Sequence, residues 1–230
     1  ELEVTPPNNI VDEQIKEILT SGDTVKIKAI MEGMANNMPK MFNTSGISGA
    51  GTADGRYRSC QGMDAMRNLE GNDIVFGAKN LSIFGSDEYY LRDFTSTAVD
   101  KNWAYWQSSW SIITTANKML NNLDDAIVGN SKHLKEYKAR GLVVRAYAYN
   151  YLMENYQDAY LQGGKDKLGI MLYDYYSPLQ PSKPRASAVD TYNFIKKDLQ
   201  DAVTLMTQAE KGFTTTVLTD IDLGGAHFLL

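Results

Sequence analysis

Three indoles recur at Trp103, Trp106 and Trp110, and the series continues through Ile113, Asn117 and Leu120 in alternating steps of three and four. On an α-helix this spacing places all six on one face. Indoles arranged so either fill a groove between helices or offer a flat apolar surface to a ligand. A sugar presents C–H patches that stack on such a ring and hydroxyls that nearby amides can bind. Trp103, at the mouth of the helix, has the right neighbours in Asn102, Tyr105 and the Tyr89–Tyr90 pair; the competing reading makes it a half-buried loop anchor. Trp106, Trp110 and Asn117 read instead as core, with Asn117 satisfying backbone groups at a helix crossing. Tyr57 and Arg58 stand beside a Gly- and Ser-rich stretch and are placed to close over a ligand.

Catalytic constellations are missing from the sequence. The two histidines, His133 and His227, form no metal-ligand spacing with Cys60 or with a carboxylate pair. Asp124 and Asp125 are adjacent, so on a helix they diverge and cannot share acid–base work. No phosphate-cradling Gly loop or nucleophile elbow occurs. The expectation is a protein that is no enzyme and carries no cofactor or metal. Arg145 falls within an apolar stripe, where a charge requires a partner such as Asp158, Glu154 or a backbone carbonyl. Lys138 and Arg140 are read onto a solvated face.

The bulk numbers agree with a binding or scaffolding role. The chain of 230 residues is 43% hydrophobic and 22% charged, which is ordinary for a globular domain. A net charge of -5 with interspersed signs gives no basic stripe to neutralise phosphates, so nucleic acid is excluded as a partner. Fourteen Tyr and three Trp supply amphipathic contact surface suited to polar ligands. A single Cys cannot form an internal disulfide. No apolar run is long enough to span a bilayer.

The elements that must hold these residues are helices. Short helices are expected from Asp12, read as N-cap, to Thr20, and from Asp23 through Ile27, Ile30 or Met31, Met34 and Met38 to Pro39. Residues 43–55 are almost all Asn, Thr, Ser, Gly and Ala and read as a surface loop. Periodicity returns over 60–75, followed by an irregular excursion over 76–101. The Trp helix is expected over about 100–124. After a turn at Gly129-Asn130-Ser131 comes a long central helix, about 132–157. Leu142, Ala146, Tyr149, Met153 and Tyr156 make one stripe of it, and Ala139, Val143, Tyr147 and Asn150 a second. A Gly- and Pro-punctuated loop follows, with a short extended piece at 168–173. The last clear helix starts at Ser187, which with Asp190 makes an Asp version of the capping box, and turns Tyr192, Ile195, Leu199, Ala202 and Met206 inward. An apolar pattern that opens near Gly224 reads as an interrupted helix.

Ordered motifs along this frame resemble the SusD/RagB family of Bacteroidetes outer-membrane lipoproteins. They are Trp106-x3-Trp110-x2-Ile113-x2-Ala116-Asn117, then Lys138-Ala139-Arg140-x3-Val144-Arg145-Ala146-Tyr147-x3-Tyr151-Leu152, then Pro184-Arg185-Ala186-Ser187, and finally Tyr192-x2-Ile195-x2-Asp198-Leu199-x2-Ala202. Gly62-Met63-Asp64 through Asn72-Asp73-Ile74-Val75 is similar as well. Trp110 stands where the family more often has Tyr, and Gly169-Ile170-Met171 lacks the Pro usual there. The resemblance implies a mainly α fold of tetratricopeptide-like helix pairs with long irregular loops. It also implies that residues 1–230 form a single SusD-like helical domain, the N-terminal portion of a longer protein. The implied role is surface capture of an oligosaccharide or other nutrient for a SusC-like TonB-dependent transporter, with membrane attachment only through a lipidated Cys preceding Glu1. The alternatives are a helical protein–protein interaction scaffold and capture of peptide nutrient in the same transporter context.

Overall fold

The computed structural model describes residues 12–35, 64, 67–68, 100–210 and 221–230, with the backbone alone described at 12, 35 and 100–105. Among the described residues the regular elements are helices: α1 (Asp12–Thr20), α2 (Thr24–Ala35), α3 (Asp100–Leu120), α4 (Asp125–Val128), α5 (Lys132–Tyr156), α6 (Ala188–Gln208) and α7 (Leu223–Leu229). Two short 3-10 turns, Tyr160–Gln162 and Gly164–Asp166, lie in the connection between α5 and α6. The mainly α reading holds.

Local chemistry sets most of the boundaries. Asp23 Oδ1 accepts from the backbone N–H groups of Val25 and Lys26 and starts α2. Ser131 caps α5 through Leu134 N–H, and Asp222 caps α7 through Gly225 N–H. At α6 the Ser187 hydroxyl accepts from Asp190 N–H at 3.0 Å and donates to the Asp190 carboxylate at 2.7 Å. The expected cap pair is therefore present, with the hydroxyl serving both functions. Helix α1 begins at Asp12 itself, the residue expected to cap it. The expected Met38 lies outside the described residues.

Two expectations are corrected. The Trp helix ends at Leu120, not near 124, because Asn121 turns its side chain to the backbone of Tyr176 and Asp124 caps the separate short α4 through Ile127 N–H. The anticipated extended piece at 168–173 amounts to an isolated antiparallel bridge, Leu168 with Ser187. It is nevertheless well fixed: Gly169 N–H donates to Ala186 O at 2.6 Å and Ala186 N–H to Ile170 O at 3.1 Å.

Helix α5 is the centre of the molecule. It buries residues on every side, Leu134, Tyr137, Ala139, Leu142, Val143, Val144, Tyr149 and Leu152 among them, as a helix covered on more than one face must. Trp106 meets Tyr156 and Gly141 faces Met119, so α3 runs antiparallel to α5 on one side. Arg145 meets Asp198 and Tyr149 meets Phe194, so α6 runs antiparallel to it on another. These are helix pairs of the expected kind. The shared core takes Ile112, Ile113, Ala116 and Met119 from α3 and Ile195, Leu199, Ala202 and Met206 from α6, and adds Leu19, Ile27 and Met31 from the first two helices. At about 0.8 kcal/mol per buried methylene, this interior is what holds the frame together.

Candidate functional site

An aromatic ladder runs along the contact between α3 and α5. Trp110 lies 5.7 Å from Trp106, 6.0 Å from Tyr149 and 5.7 Å from Tyr173, the two tyrosines meeting it edge-on. Trp106 in turn meets the Tyr156 ring edge-on at 5.2 Å. Tilted and edge-to-face pairs of this kind put the positive rim of one ring on the negative face of the next. Both indoles are half-buried and pack against the core, in keeping with their reading as core residues. One helical turn before Trp106, α3 carries Asn102, Trp103 and Tyr105 in its amino-terminal part. The side chains of these three residues lie outside the described structure, as do Tyr57, Arg58, Tyr89 and Tyr90.

Beneath the ladder a buried polar network anchors the loop that follows the 3-10 turns. Arg145 donates from Nε and Nη2 to the Asp198 carboxylate at 2.7 and 2.8 Å, and from Nη1 to Asn117 Oδ1 and to the Asp174 carbonyl. The Asn117 amide then donates to Tyr173 O at 3.0 Å, and Tyr173 N–H donates to the Tyr149 hydroxyl at 2.8 Å. Asn117 thus satisfies backbone groups as expected. Burial pushes the Asp198 carboxyl above its ordinary range, against the pull of the Arg145 hydrogen bonds. Burial also raises the Tyr149 phenol and pushes Tyr156 up to about 12.

The expected partners of Arg145 were the wrong carboxylates. Glu154 pairs with Arg67 at 3.2 Å and accepts from Asn150, and Asp158 pairs with Lys167. Asp198, fifty-three residues from Arg145, comes into reach only when α6 packs on α5. Lys138 and Arg140 do not lie on a solvated face: their side chains are 19% and 14% exposed, bound to Asp125 and Glu136 at 2.6 and 2.7 Å. Both cations keep a carboxylate partner at the head.

Two clefts open beside this framework. One, of about 600 Å³, lies at the carboxyl end of α5 and is lined by Tyr156, Gln157, Lys165, Asp166, Arg185 and Ser187, among others. Tyr156 is common to the ladder and this cleft, its ring meeting Trp106 and the residue lining the cleft. The second, of about 710 Å³, lies between α5 and α6 over the Arg145–Asp198 pair, with Lys138, Asp125, Lys197 and Asp201 around it. Its charges pair off, Lys138 with Asp125 and Lys197 with Asp201. Sequence reasoning missed the first cleft. Its signals were the Gly163-Gly164 turn and the Pro184-Arg185-Ala186-Ser187 motif, which were visible separately, but nothing in their spacing put them against Tyr156. Among the described residues no group of three His, Cys, Asp or Glu is placed to hold a metal ion, and no helix is long and apolar enough to cross a membrane.

The fold and the motifs have counterparts among known proteins. Residues 61–219 match the family model of the SusD-like proteins, described as starch-binding and associating with the outer membrane. A SusD-like carbohydrate binding protein from Bacteroides vulgatus superposes with a TM-score of 0.64 at 19% identity, over 86% of this chain and 39% of its own. A putative sugar binding protein from the same organism gives 0.58 at 18% identity, over 77% of this chain and 36% of its own. A SusD superfamily protein from Bacteroides thetaiotaomicron gives 0.53 at 15% identity, over 87% and 40%. The chain therefore spans about two fifths of the length of the first of these solved structures. At these identities the superpositions speak for the fold. No curated protein matches the chain. With the helical frame, the ordered motifs and a family match over 61–219 in agreement, the chain belongs to the SusD-like family.

Proposed function

We propose that this chain is part of an outer-membrane surface lipoprotein that captures oligosaccharide and hands it, chemically unchanged, to a SusC-like TonB-dependent transporter. Family membership supports the cellular setting, because the family is described as starch-binding and associating with the outer membrane. The observation that carries the binding role is the position of Tyr156. Its ring ends the Trp106–Trp110 ladder, and the same residue lines a cleft of about 600 Å³ among polar and charged side chains. Aromatic faces set beside amides and charged side chains match what a sugar offers, apolar C–H faces ringed by hydroxyls. Trp103, with Asn102, Tyr105 or the Tyr89–Tyr90 pair, supplies the stacking platform in this proposal, and Tyr57 and Arg58 close over the ligand. Capture is weak and reversible, because release into the transporter is part of the task.

Titration calorimetry of the full-length protein against starch-derived and other oligosaccharides tests the proposal. Trp103→Ala is expected to weaken binding about tenfold, the value of one good stacking contact. Full affinity in that variant would remove Trp103 from the site, and absence of glycan binding by the parent would overturn the function.

A helical interaction scaffold is the second reading. It is favoured by an apolar groove of about 270 Å³ between α5 and α7, lined by Val143, Val144, Tyr147, Ile221, Phe228 and Leu229. Capture of peptide in place of glycan by the full-length protein would move the assignment toward peptide-nutrient binding in the same transporter setting.

A further inference from the structure

Arg185 is held in place by neutral groups. Its Nε donates to Gly169 O at 2.6 Å and its Nη2 to Leu168 O at 2.8 Å, which fixes the plane of the guanidinium. A guanidinium has five N–H donors, and these two bonds leave the rest available. No carboxylate pairs with Arg185 among the described residues, although ten other ion pairs are found there.

The same cleft is lined by Lys165 and Lys167 together with Tyr156 and Gln157. Lys167 is taken by Asp158. Lys165, exposed on the second 3-10 turn, has no ion-pair partner among the described residues. Asp166 is the one carboxylate among the residues lining the cleft, so it offsets at most one of the two free cations. Among the residues lining the cleft, the cations Lys165, Lys167 and Arg185 outnumber the one carboxylate, while Asp158 takes Lys167 and the Ser187 hydroxyl holds Asp190. A cation that is oriented by backbone carbonyls and left without a counter-ion is prepared for an anion from outside.

We propose that this cleft selects oligosaccharides bearing an oxyanion, a uronic carboxylate or a sulfate ester, with Arg185 and Lys165 as specificity-determining residues and Tyr156 beside them. This rests on the glycan-binding function proposed above and names its substrate class. In it, Arg185 offers a planar pair of N–H donors to the two oxygens of the anionic group, and Lys165 adds a mobile charge. The anionic sugar unit sits in the cleft while neighbouring units extend toward the amino-terminal turns of α3.

The test is titration calorimetry on the full-length protein with matched oligosaccharides: a neutral series, an oligogalacturonate series and a sulfated series. The acidic ligands are expected to bind about tenfold or more tightly than neutral ones of equal length, and to lose that advantage as salt is raised. Lys165→Met, on an exposed turn where folding is not at stake, should cost most of the acidic preference, weakening acidic binding far more than neutral binding. Arg185→Lys, which keeps the charge but not the fork, should weaken acidic binding severalfold. Carboxylate and sulfate ligands separate the two sources of the anion, and tighter binding of either supports the proposal. Equal affinity for neutral and acidic glycans, or acidic binding indifferent to Lys165→Met, would overturn the proposal while leaving glycan capture standing. Binding of acidic peptides in preference to acidic sugars would overturn it too. Absence of binding to any of the three glycan series would bring down the parent function and this inference with it.

Discussion

The Arg145 guanidinium meets the Asp198 carboxylate fork to fork, and both side chains are about 5% exposed. The remaining donor, Nη1, ties the pair to Asn117 and to the Asp174 carbonyl, so one residue fastens α3, α6 and the following loop to α5. Removing one partner leaves a buried charge without compensation. Arg145→Met is therefore expected to cost about 3–5 kcal/mol in urea unfolding, whereas Arg145→Met with Asp198→Leu should recover a large part of that loss. If the single variant lost less than about 1 kcal/mol, the pair could not be the clamp described here.

Gly169 and Gly141 are both close to neighbours, but the neighbours differ in kind. A Cβ on Gly169 would overlap Thr191 Oγ1 and come 2.8 Å from the Ser187 carbonyl, both fixed by the start of α6. Gly169→Ala should cost about 2 kcal/mol or more, since backbone cannot move aside. On Gly141 the new atom would meet Met119 Cε at 2.8 Å and Leu120 Cδ2 and Cγ at 3.0 and 3.2 Å, side-chain atoms and not backbone. There the gain of about 1 kcal/mol in helix propensity offsets the crowding, and Gly141→Ala should change stability by less than about 1 kcal/mol. Chemical denaturation of the two variants side by side decides whether the α5–α6 connection is as tightly fixed as its hydrogen bonds imply.

What could be read from the sequence, and what could not, follows from the range of the forces involved. Caps and periodic stripes are local, so Ser187 with Asp190, the inward face of α6 and both stripes of α5 were all legible. Arg145 shows the limit: its burial required a partner, yet local spacing suggested Glu154 and Asp158, and the carboxylate that packing delivers is Asp198. Lys138 and Arg140 were misread because their burial depends on what packs over them. Periodicity places them off the main stripes, but both side chains are largely covered and pair with Asp125 and Glu136. The candidate glycan residues Trp103, Asn102 and Tyr105 were chosen by type and position alone, and their side chains lie outside the described residues. The cleft at Tyr156 was not, because it is made where three separate stretches of chain come together.

Alkaline titration offers a check on the ladder and its surroundings. Burial pushes Tyr137 and Tyr156 up to about 12 and raises Tyr149 further. From about pH 10 upward an unfolded chain releases protons from these phenols while the folded chain retains them. The folded state then binds more protons, so stability must fall as pH rises through the interval between about 10 and 12. Phenolate absorbance should show late-titrating tyrosines among the fourteen, appearing together with loss of helix by circular dichroism. Complete titration of every tyrosine near pH 10 with the helices intact would contradict the burial of these rings.

Tyr156 links frame and cleft, so its variants should separate the two roles. Tyr156→Phe keeps the ring that meets Trp106 and is expected to cost about 1 kcal/mol or less, the ordinary value of one hydroxyl's hydrogen bond. Tyr156→Ala removes a half-buried ring from the end of the ladder and should cost about 1–3 kcal/mol, less than a fully buried aromatic because part of the ring already meets solvent. In a full-length protein that still folds, Tyr156→Ala is expected to weaken oligosaccharide binding several-fold, while Tyr156→Phe retains most of it, because stacking depends on the ring and not on the hydroxyl. Equal binding by the alanine variant, measured under conditions where it is fully folded, would mean that the cleft wall contributes to the frame alone and that the ligand sits elsewhere on the α3 side.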